Sequence, residues 1–177
     1  MTKRSQRQQL NDGLKDLRLP TIRGRVQEVA EKARSESLSY EEFLLELVED
    51  ERDVRRQHRI QRALRASKLP LEKTLEAFER KRLPPKVDAH VNVLLEGRFL
   101  DRCENVLAFG PPGSGKSHLL CAIGQELVHA ERRVLFRRCD LLVQELLAAK
   151  RDLYLPRLLK QWGRFDAFII DDIGYVQ

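Results

Sequence analysis

Residues 110–117 have the types and the spacing that phosphate binding requires. They read GPPGSGKS, which fits a glycine, four residues and then Gly-Lys-Ser. The glycines allow a tight loop whose backbone N–H groups point inward and form an anion-binding nest. Lys116 brings a compact positive charge to the outer phosphates, and the Ser117 hydroxyl suits Mg²⁺. The pattern predicts a nucleoside triphosphate site that consists of Gly110, Pro111, Pro112, Gly113, Ser114, Gly115, Lys116, Ser117 and His118.

Two adjacent acidic residues provide a second motif. The apolar run at residues 167–170 predicts a strand, and Asp171 and Asp172 follow it. Ligands of open α/β sheets bind at the carboxyl ends of the strands. Asp171 is therefore suited to hold Mg²⁺, directly or through water, and Asp172 to orient or deprotonate an attacking water. Without the phosphate loop, a strand that ends in a polar turn would be the better interpretation.

The segments around the loop predict the elements that position it. Residues 105–109 are a short apolar run typical of a buried strand, and residues 118–128 carry apolar residues at the three- and four-residue steps of a helix. This order brings a helix N-terminus to the phosphates. The alternation continues in a predicted strand and two predicted helices, at residues 133–137, 140–150 and 153–162. We expect a parallel sheet of three strands with right-handed crossovers.

The first part of the chain predicts helices and no strands. A basic tail at residues 1–8 precedes a short helix that ends near Leu17. The pair Ser39 and Glu42 has the spacing of a capping box, which predicts the start of a helix that ends near Lys68. Two further helices are expected at residues 21–34 and 85–96. Residues 75–78 could cover the adenine of a nucleotide, and packing into the core explains them equally well.

Arginines form one face of the helix that precedes Lys68. They recur at three- and four-residue steps from Arg52 to Arg65. This face could follow a DNA phosphate backbone, or it could be a solvated surface paired with nearby acidic residues. Residues 1–100 hold 22 basic and 17 acidic residues (net +5), and residues 101–177 hold 11 and 10 (net +1), which favours an anionic partner for the first part. The candidate DNA contacts are Arg52, Arg55, Arg56, Arg59 and Arg62.

Composition argues against several other classes of protein. No apolar run approaches the ~20 residues that cross a bilayer, and the N-terminus has no apolar signal core. We therefore expect a cytoplasmic protein without membrane contact. Cys103, Cys121 and Cys139 are too far apart for a CxxC pair, so neither a zinc site nor a disulfide framework is expected.

The sequence predicts an incomplete ATPase core. Only six residues follow Asp171, which leaves no room for later strands, a residue that senses the γ-phosphate, or an arginine finger. We expect a fragment or a truncated reading frame. The predicted fold class is α/β: a P-loop NTPase parallel sheet with flanking helices, incomplete at its C-terminus and preceded by an all-α region. The expected domains are a helical domain, a linker with one helix, and the ATPase core, at residues 1–68, 69–97 and 98–177.

Four stretches of the chain resemble one family. They are LPLEKTLEAF, ENVLAFGPPGSGKSHLLCAIG, RRVLFRRCDLL and FIIDDIGYVQ. They look like the IstB-like ATP-binding proteins, helper ATPases of certain insertion sequences that are related to the DnaC helicase loaders within the AAA+ group. The resemblance runs from about Leu10 to Gln177. The linker LEKTLEAF and the ending GYVQ distinguish this family from other ATPases.

The resemblance implies a function and roles for single residues. Such proteins bind ATP and Mg²⁺, self-assemble on double-stranded DNA and assist a partner transposase; in the loader relatives the partner is a replicative helicase. Carried over, Gly113, Gly115, Lys116 and Ser117 hold nucleotide and metal, Asp171 supports Mg²⁺, and Asp172 takes the place of the water-activating acid, which is more often Glu. We expect an ATP-dependent transposition helper whose full-length form hydrolyses ATP. The alternatives are a helicase loader and a truncated copy that does not hydrolyse ATP.

Overall fold

The computed structural model describes residues 3–173, with side chains from residue 6 onward. The predicted GYVQ ending, residues 174–177, lies outside them. The chain divides into two compact units, Met1–Arg59 and Ile60–Gln177. The α-helices and strands of these residues are α1 (Lys3–Asp16), α2 (Pro20–Glu36), α3 (Tyr40–Ser67), α4 (Pro85–Leu95), α5 (Arg98–Asp101), α6 (Lys116–His129), β1 (Val134–Arg138), α7 (Cys139–Arg151), α8 (Leu155–Trp162) and β2 (Ala167–Asp171), and a 3-10 turn lies at Arg80–Arg82. None of the helices between residues 3 and 173 is long and apolar enough to cross a membrane.

The first unit is helical, as predicted, with one correction at its start. The basic tail expected at residues 1–8 is wrong from Lys3 onward, because α1 already begins there. Arg and Gln are good helix formers, so the exposed Gln6, Arg7 and Gln8 extend the helix without a core to pack against. The predicted capping box is confirmed: Glu42 N donates to Ser39 Oγ at 3.2 Å, and Ser39 N donates to Glu42 Oε2 at 2.8 Å.

A buried carboxylate on α3 caps the start of α2. Leu19 precedes α2 and provides no side-chain cap. Glu51 is only 4% exposed, and its Oε2 accepts the amides of Thr21 at 2.9 Å and Ile22 at 3.1 Å. Burial raises the pKa of Glu51, but the bonds from Ile22, Arg55 and Thr21 outweigh it and hold the pKa below its ordinary value. The first unit therefore depends on an ionised side chain at residue 51.

The second unit contains a parallel pair of strands. β1 and β2 pair in parallel from Val134 opposite Ala167 to Arg138 opposite Asp171. The helices α7 and α8 form the connection between them. Because both strands run the same way, their carboxyl ends lie at one edge of the sheet, and Asp171 is the last residue there. The buried core beside the strands includes Ile123, Leu127 and Val128 of α6.

The strand predicted at residues 105–109 is wrong, because residues 104–110 contain no strand. Within residues 3–173 the sheet has two strands rather than the predicted three. A strand requires a neighbouring backbone for its ladder of hydrogen bonds. Here Val106 and Leu107 share a cavity of about 600 Å³ with residues 166–170, so open space lies where that neighbour would be. The consecutive residues 166–170 place this cavity along the second edge of β2.

Candidate functional site

The phosphate loop adopts conformations that require glycine at two positions. Gly113 has φ 74° and Gly115 has φ 89°, both in the left-handed region that a Cβ disfavours. At Gly115 an added Cβ would lie 2.9 Å from Cε2 of Phe78, which is closer than two carbons approach. Gly115 is also the residue that precedes α6. The loop therefore delivers the chain directly into the first turn of that helix.

The Lys116 ammonium binds the start of its own loop. Its Nζ donates to the carbonyl oxygens of Gly110 and Pro111, each at 2.9 Å. An ammonium has three donors and no acceptor, and charged phosphate oxygens are stronger acceptors than neutral carbonyls. The same side chain can therefore exchange these carbonyls for phosphate oxygens without leaving the loop.

The two sequence motifs meet at the start of α6. Ser117 Oγ donates to Asp171 Oδ1 at 2.6 Å, although 54 residues separate them in the chain. Both are oxygen ligands of the kind that Mg²⁺ prefers, and Mg²⁺ usually takes one or two protein oxygens beside phosphate and water. The donor set therefore fits the ion.

Backbone amides at the start of α6 add donors of the kind that an anion would need. The first hydrogen bond of the helix joins Leu119 N to Gly115 O at 2.9 Å. The amides of residues 116–118 precede this bond, so no carbonyl of the same helix accepts from them. Together with the helix dipole they favour a bound anion.

Asp172 lies directly after β2 and is exposed. Its φ of 60° is in the left-handed region, which Asp tolerates better than most residues. This conformation turns the chain away from the strand immediately after Asp171. The role of Asp172 in water activation stays a prediction.

A cavity of about 690 Å³ opens beside the phosphate loop. Its walls include Phe78, Val87 and Val91, and its floor reaches Gly115 and Lys116. This size lies within the range of small-molecule pockets. From the sequence, residues 75–78 had two interpretations, a cover for the adenine or packing into the core, and no residue of α4 was assigned to a pocket. The apolar periodicity of α4 gave no signal to separate a pocket wall from a core.

A family model described as IstB-like ATP binding protein matches residues 12–177. The chain belongs to the IstB-like ATP binding protein family. This confirms the family resemblance inferred from the phosphate loop, the linker and the paired aspartates.

Three relatives of this IstB-like chain are named as ATP-binding proteins of insertion sequences. The one from Sinorhizobium fredii is 42% identical over 164 residues, which cover 92% of this chain and 55% of that protein. The IS21 protein of Pseudomonas aeruginosa is 37% identical, with 92% and 62% covered. The IS5376 protein of Geobacillus stearothermophilus is 35% identical, with 91% and 64% covered. The IstB-like chain therefore spans between 55% and 64% of the length of these relatives.

His118 and Cys121 of the IstB-like chain lie on α6 behind the loop. His118 was predicted among the nucleotide contacts, but its ring lies 2.9 Å from the carbonyl oxygen of Thr74 and 5.3 Å from the ring of Phe78. Its backbone amide lies in the first turn of α6, and its contact with a nucleotide stays a prediction. Cys121 is fully buried, and burial raises the pKa of its thiol from 9.0 to about 11. It is a neutral packing residue.

The arginine face of the IstB-like chain is exposed along α3. Arg55 is bound within the first unit, because its Nε donates to Glu51 Oε1 at 2.8 Å and its Nη2 donates to Arg18 O. Arg56, Arg59 and Arg62 also interact with other groups of the protein. The face is therefore exposed but interacts with other groups of the chain, and its contact with DNA stays a prediction.

Proposed function

We propose that this chain is the nucleotide-binding part of a cytoplasmic helper protein of DNA transposition. In this proposal it assembles on double-stranded DNA in response to ATP and supports a partner transposase. Membership of the IstB-like family and the names of the insertion-sequence relatives support the role. The single structural observation that carries the nucleotide site, on which this role depends, is the 2.6 Å bond between Ser117 and Asp171 at the start of α6.

The site suggests how ATP is held. The amides of residues 113–116 and the first turn of α6 receive the phosphates, and Lys116 exchanges the carbonyls of Gly110 and Pro111 for phosphate oxygens. The base enters the cavity beside Phe78. Ser117 and Asp171 would hold Mg²⁺, which supplies positive charge to the phosphate oxygens when bound. Asp172, exposed directly after β2, would orient the attacking water.

Assembly is the readout that tests this function. With ATP, Mg²⁺ and duplex DNA together, sedimentation should show larger species than with any one of them alone. Binding of a fluorescent ATP analogue to the 177-residue chain is the first requirement. If the wild-type chain bound no nucleotide, the proposal would fail at its first step. If the chain bound ATP but its assembly in sedimentation did not depend on DNA, the transposition role would fail while the site assignment stood.

The arginine face provides a separate test of DNA contact. Arg52 and Arg59 are exposed on α3, so reversing both charges with Arg52→Glu and Arg59→Glu should weaken DNA binding. The slope of log affinity against log salt should fall by about 0.9 for each lost phosphate contact. The double reversal Arg157→Glu and Arg164→Glu, at two exposed arginines outside this face, is the matched control. Equal affinities for the two variants at low salt would mean that the face is a solvated surface.

A further inference from the structure

The segment Pro70–Phe78, called the strap below, lies along α6 and ends at the phosphate loop. It contains no helix or strand and consists of short turns, in which Ala77 N donates to Thr74 Oγ1 at 3.1 Å and Phe78 N to Leu75 O at 3.3 Å. A segment of this kind has little rigidity of its own. Its position must therefore come from the contacts that it makes with its neighbours.

Successive contacts along α6 hold the strap against that helix from one end to the other. Leu69, which precedes it, packs against Gly124, where an added Cβ would meet Leu69 Cδ2 at 3.2 Å. Gln125 Nε2 donates to the carbonyl oxygens of Pro70 at 3.0 Å and Lys73 at 2.9 Å. As residue numbers rise in the strap, they fall in α6, so the two run antiparallel.

His118 and Phe78 form the end of this series. A carbonyl oxygen only accepts, so the 2.9 Å contact with Thr74 O means that His118 Nε2 carries the proton and donates it. Phe78 then meets the His118 ring edge-on and lies against Gly115. From Gln125 to Lys116 the strap follows α6 for nine residues, about 14 Å, and Phe78 then reaches Gly115 directly before the helix.

The buried amide of Gln125 is explained by its hydrogen bonds to the strap and not by packing in the core. Gln125 is 7% exposed and lies in a row of α6 residues that are otherwise small or apolar. A buried amide of this kind requires hydrogen-bond partners, and the strap carbonyls are the ones it has. The strap in turn places Phe78 in the wall of the cavity beside Lys116.

We propose that His118 and Gln125 are positioning residues, which hold the strap so that Phe78 forms the wall against which the nucleotide's base and ribose bind. This rests on the proposed ATP site but concerns side chains that do not touch the phosphates. It separates the site into two parts: the loop, which takes phosphate, and the strap, which takes the base. If an ordered strap favours binding of the base, binding of the base in the cavity should in turn order the strap, because coupling between two sites is reciprocal.

Two ligands distinguish the parts. Inorganic tripolyphosphate engages the loop alone, whereas ATP also engages the cavity. Gln125→Met removes both donors at similar length, and we expect ATP to bind about tenfold more weakly while tripolyphosphate binds as to the wild type. His118→Ala should weaken ATP about fivefold, and His118→Gln, which restores an amide donor towards Thr74, should recover most of the loss.

Calorimetric titration of the 177-residue chain with both ligands measures these effects. Amide hydrogen exchange of residues 71–78 should accelerate in Gln125→Met and slow when ATP binds to the wild type. If the wild type bound ATP, and Gln125→Met and His118→Ala bound it with the same affinity, the strap's role would be overturned while the ATP site stood. Equal losses for ATP and tripolyphosphate in Gln125→Met would also overturn it, and so would failure of His118→Gln to recover affinity. Failure of the wild type to bind ATP would instead refute the proposed function.

Discussion

Replacing Lys116 with alanine tests the phosphate loop most sharply. The ammonium has two acceptors at 2.9 Å in the structure, the carbonyl oxygens of Gly110 and Pro111. When ATP binds, we expect both bonds to pass to phosphate oxygens. Two charge-assisted bonds at the lower end of their usual range, about 1.5 kcal/mol each, sum to about 3 kcal/mol. The exposed carbonyl bonds that they replace are together worth less than about 1 kcal/mol, so Lys116→Ala should weaken ATP binding by about 30- to 150-fold.

The fold should tolerate the same change. Lys116 is partly exposed, and the two bonds that it makes lie at the surface of the loop. Their loss should lower the free energy of unfolding by less than about 1 kcal/mol. Thermal melting of Lys116→Ala then shows a transition close to that of the wild type, so a loss of binding reports on the site itself.

A fluorescent ATP analogue provides the assay, titrated in Mg²⁺ at low protein concentration. Lys150→Ala is the matched control, because Lys150 is an exposed lysine in the last turn of α7. We expect the control to bind like the wild type. Affinity within threefold of the wild type for Lys116→Ala would refute the assignment of the ammonium to the phosphates.

Two further predictions concern stability and thiol chemistry. Glu51→Gln should lower the free energy of unfolding of the first unit by about 1–2 kcal/mol, because α2 loses its ionised cap, whereas exposed Glu49→Gln should change it little. Because the pKa of Glu51 is lowered in the folded protein, its contribution to stability is fully present above pH 4.5 and is lost as the pH falls through the pKa of the folded state. Denaturant unfolding at a series of pH values measures this loss. Cys121 should resist a thiol reagent that labels exposed Cys103. Because burial raises the pKa of the Cys121 thiol to about 11, the stability that the neutral thiol contributes should be lost as the pH rises from 9 to 11. Labelling of Cys121 at the rate of Cys103 in the native protein would contradict its burial.

Features set by a local pattern could be predicted from the sequence. The phosphate loop, α6, β1 and β2 follow from residue types within short windows, and so does the capping box at Ser39. The meeting of Ser117 and Asp171 could also be foreseen, because ligands gather at the carboxyl ends of parallel strands.

Features set by distant partners could not be predicted. The apolar run at residues 105–109 has the composition of a strand, but a strand requires a backbone beside it, and the described residues place a cavity there. The cap of α2 comes from Glu51, about thirty residues away, which no window around Leu19 contains. The strap anchors are of the same kind, and only the polar Gln125 within an apolar row of α6 gave a signal that could have been noticed.

The central claim is that Ser117 and Asp171 hold one Mg²⁺ beside the phosphates, and a double-mutant cycle tests it most directly. The quantity to measure is the factor by which Mg²⁺ strengthens ATP binding in the wild type, Ser117→Ala, Asp171→Asn and the double variant. Because the two oxygens lie 2.6 Å apart, each single change should remove most of the enhancement, and the double variant should lose little more. Enhancement that persists in Asp171→Asn, or losses that simply add in the double variant, would contradict the shared ion.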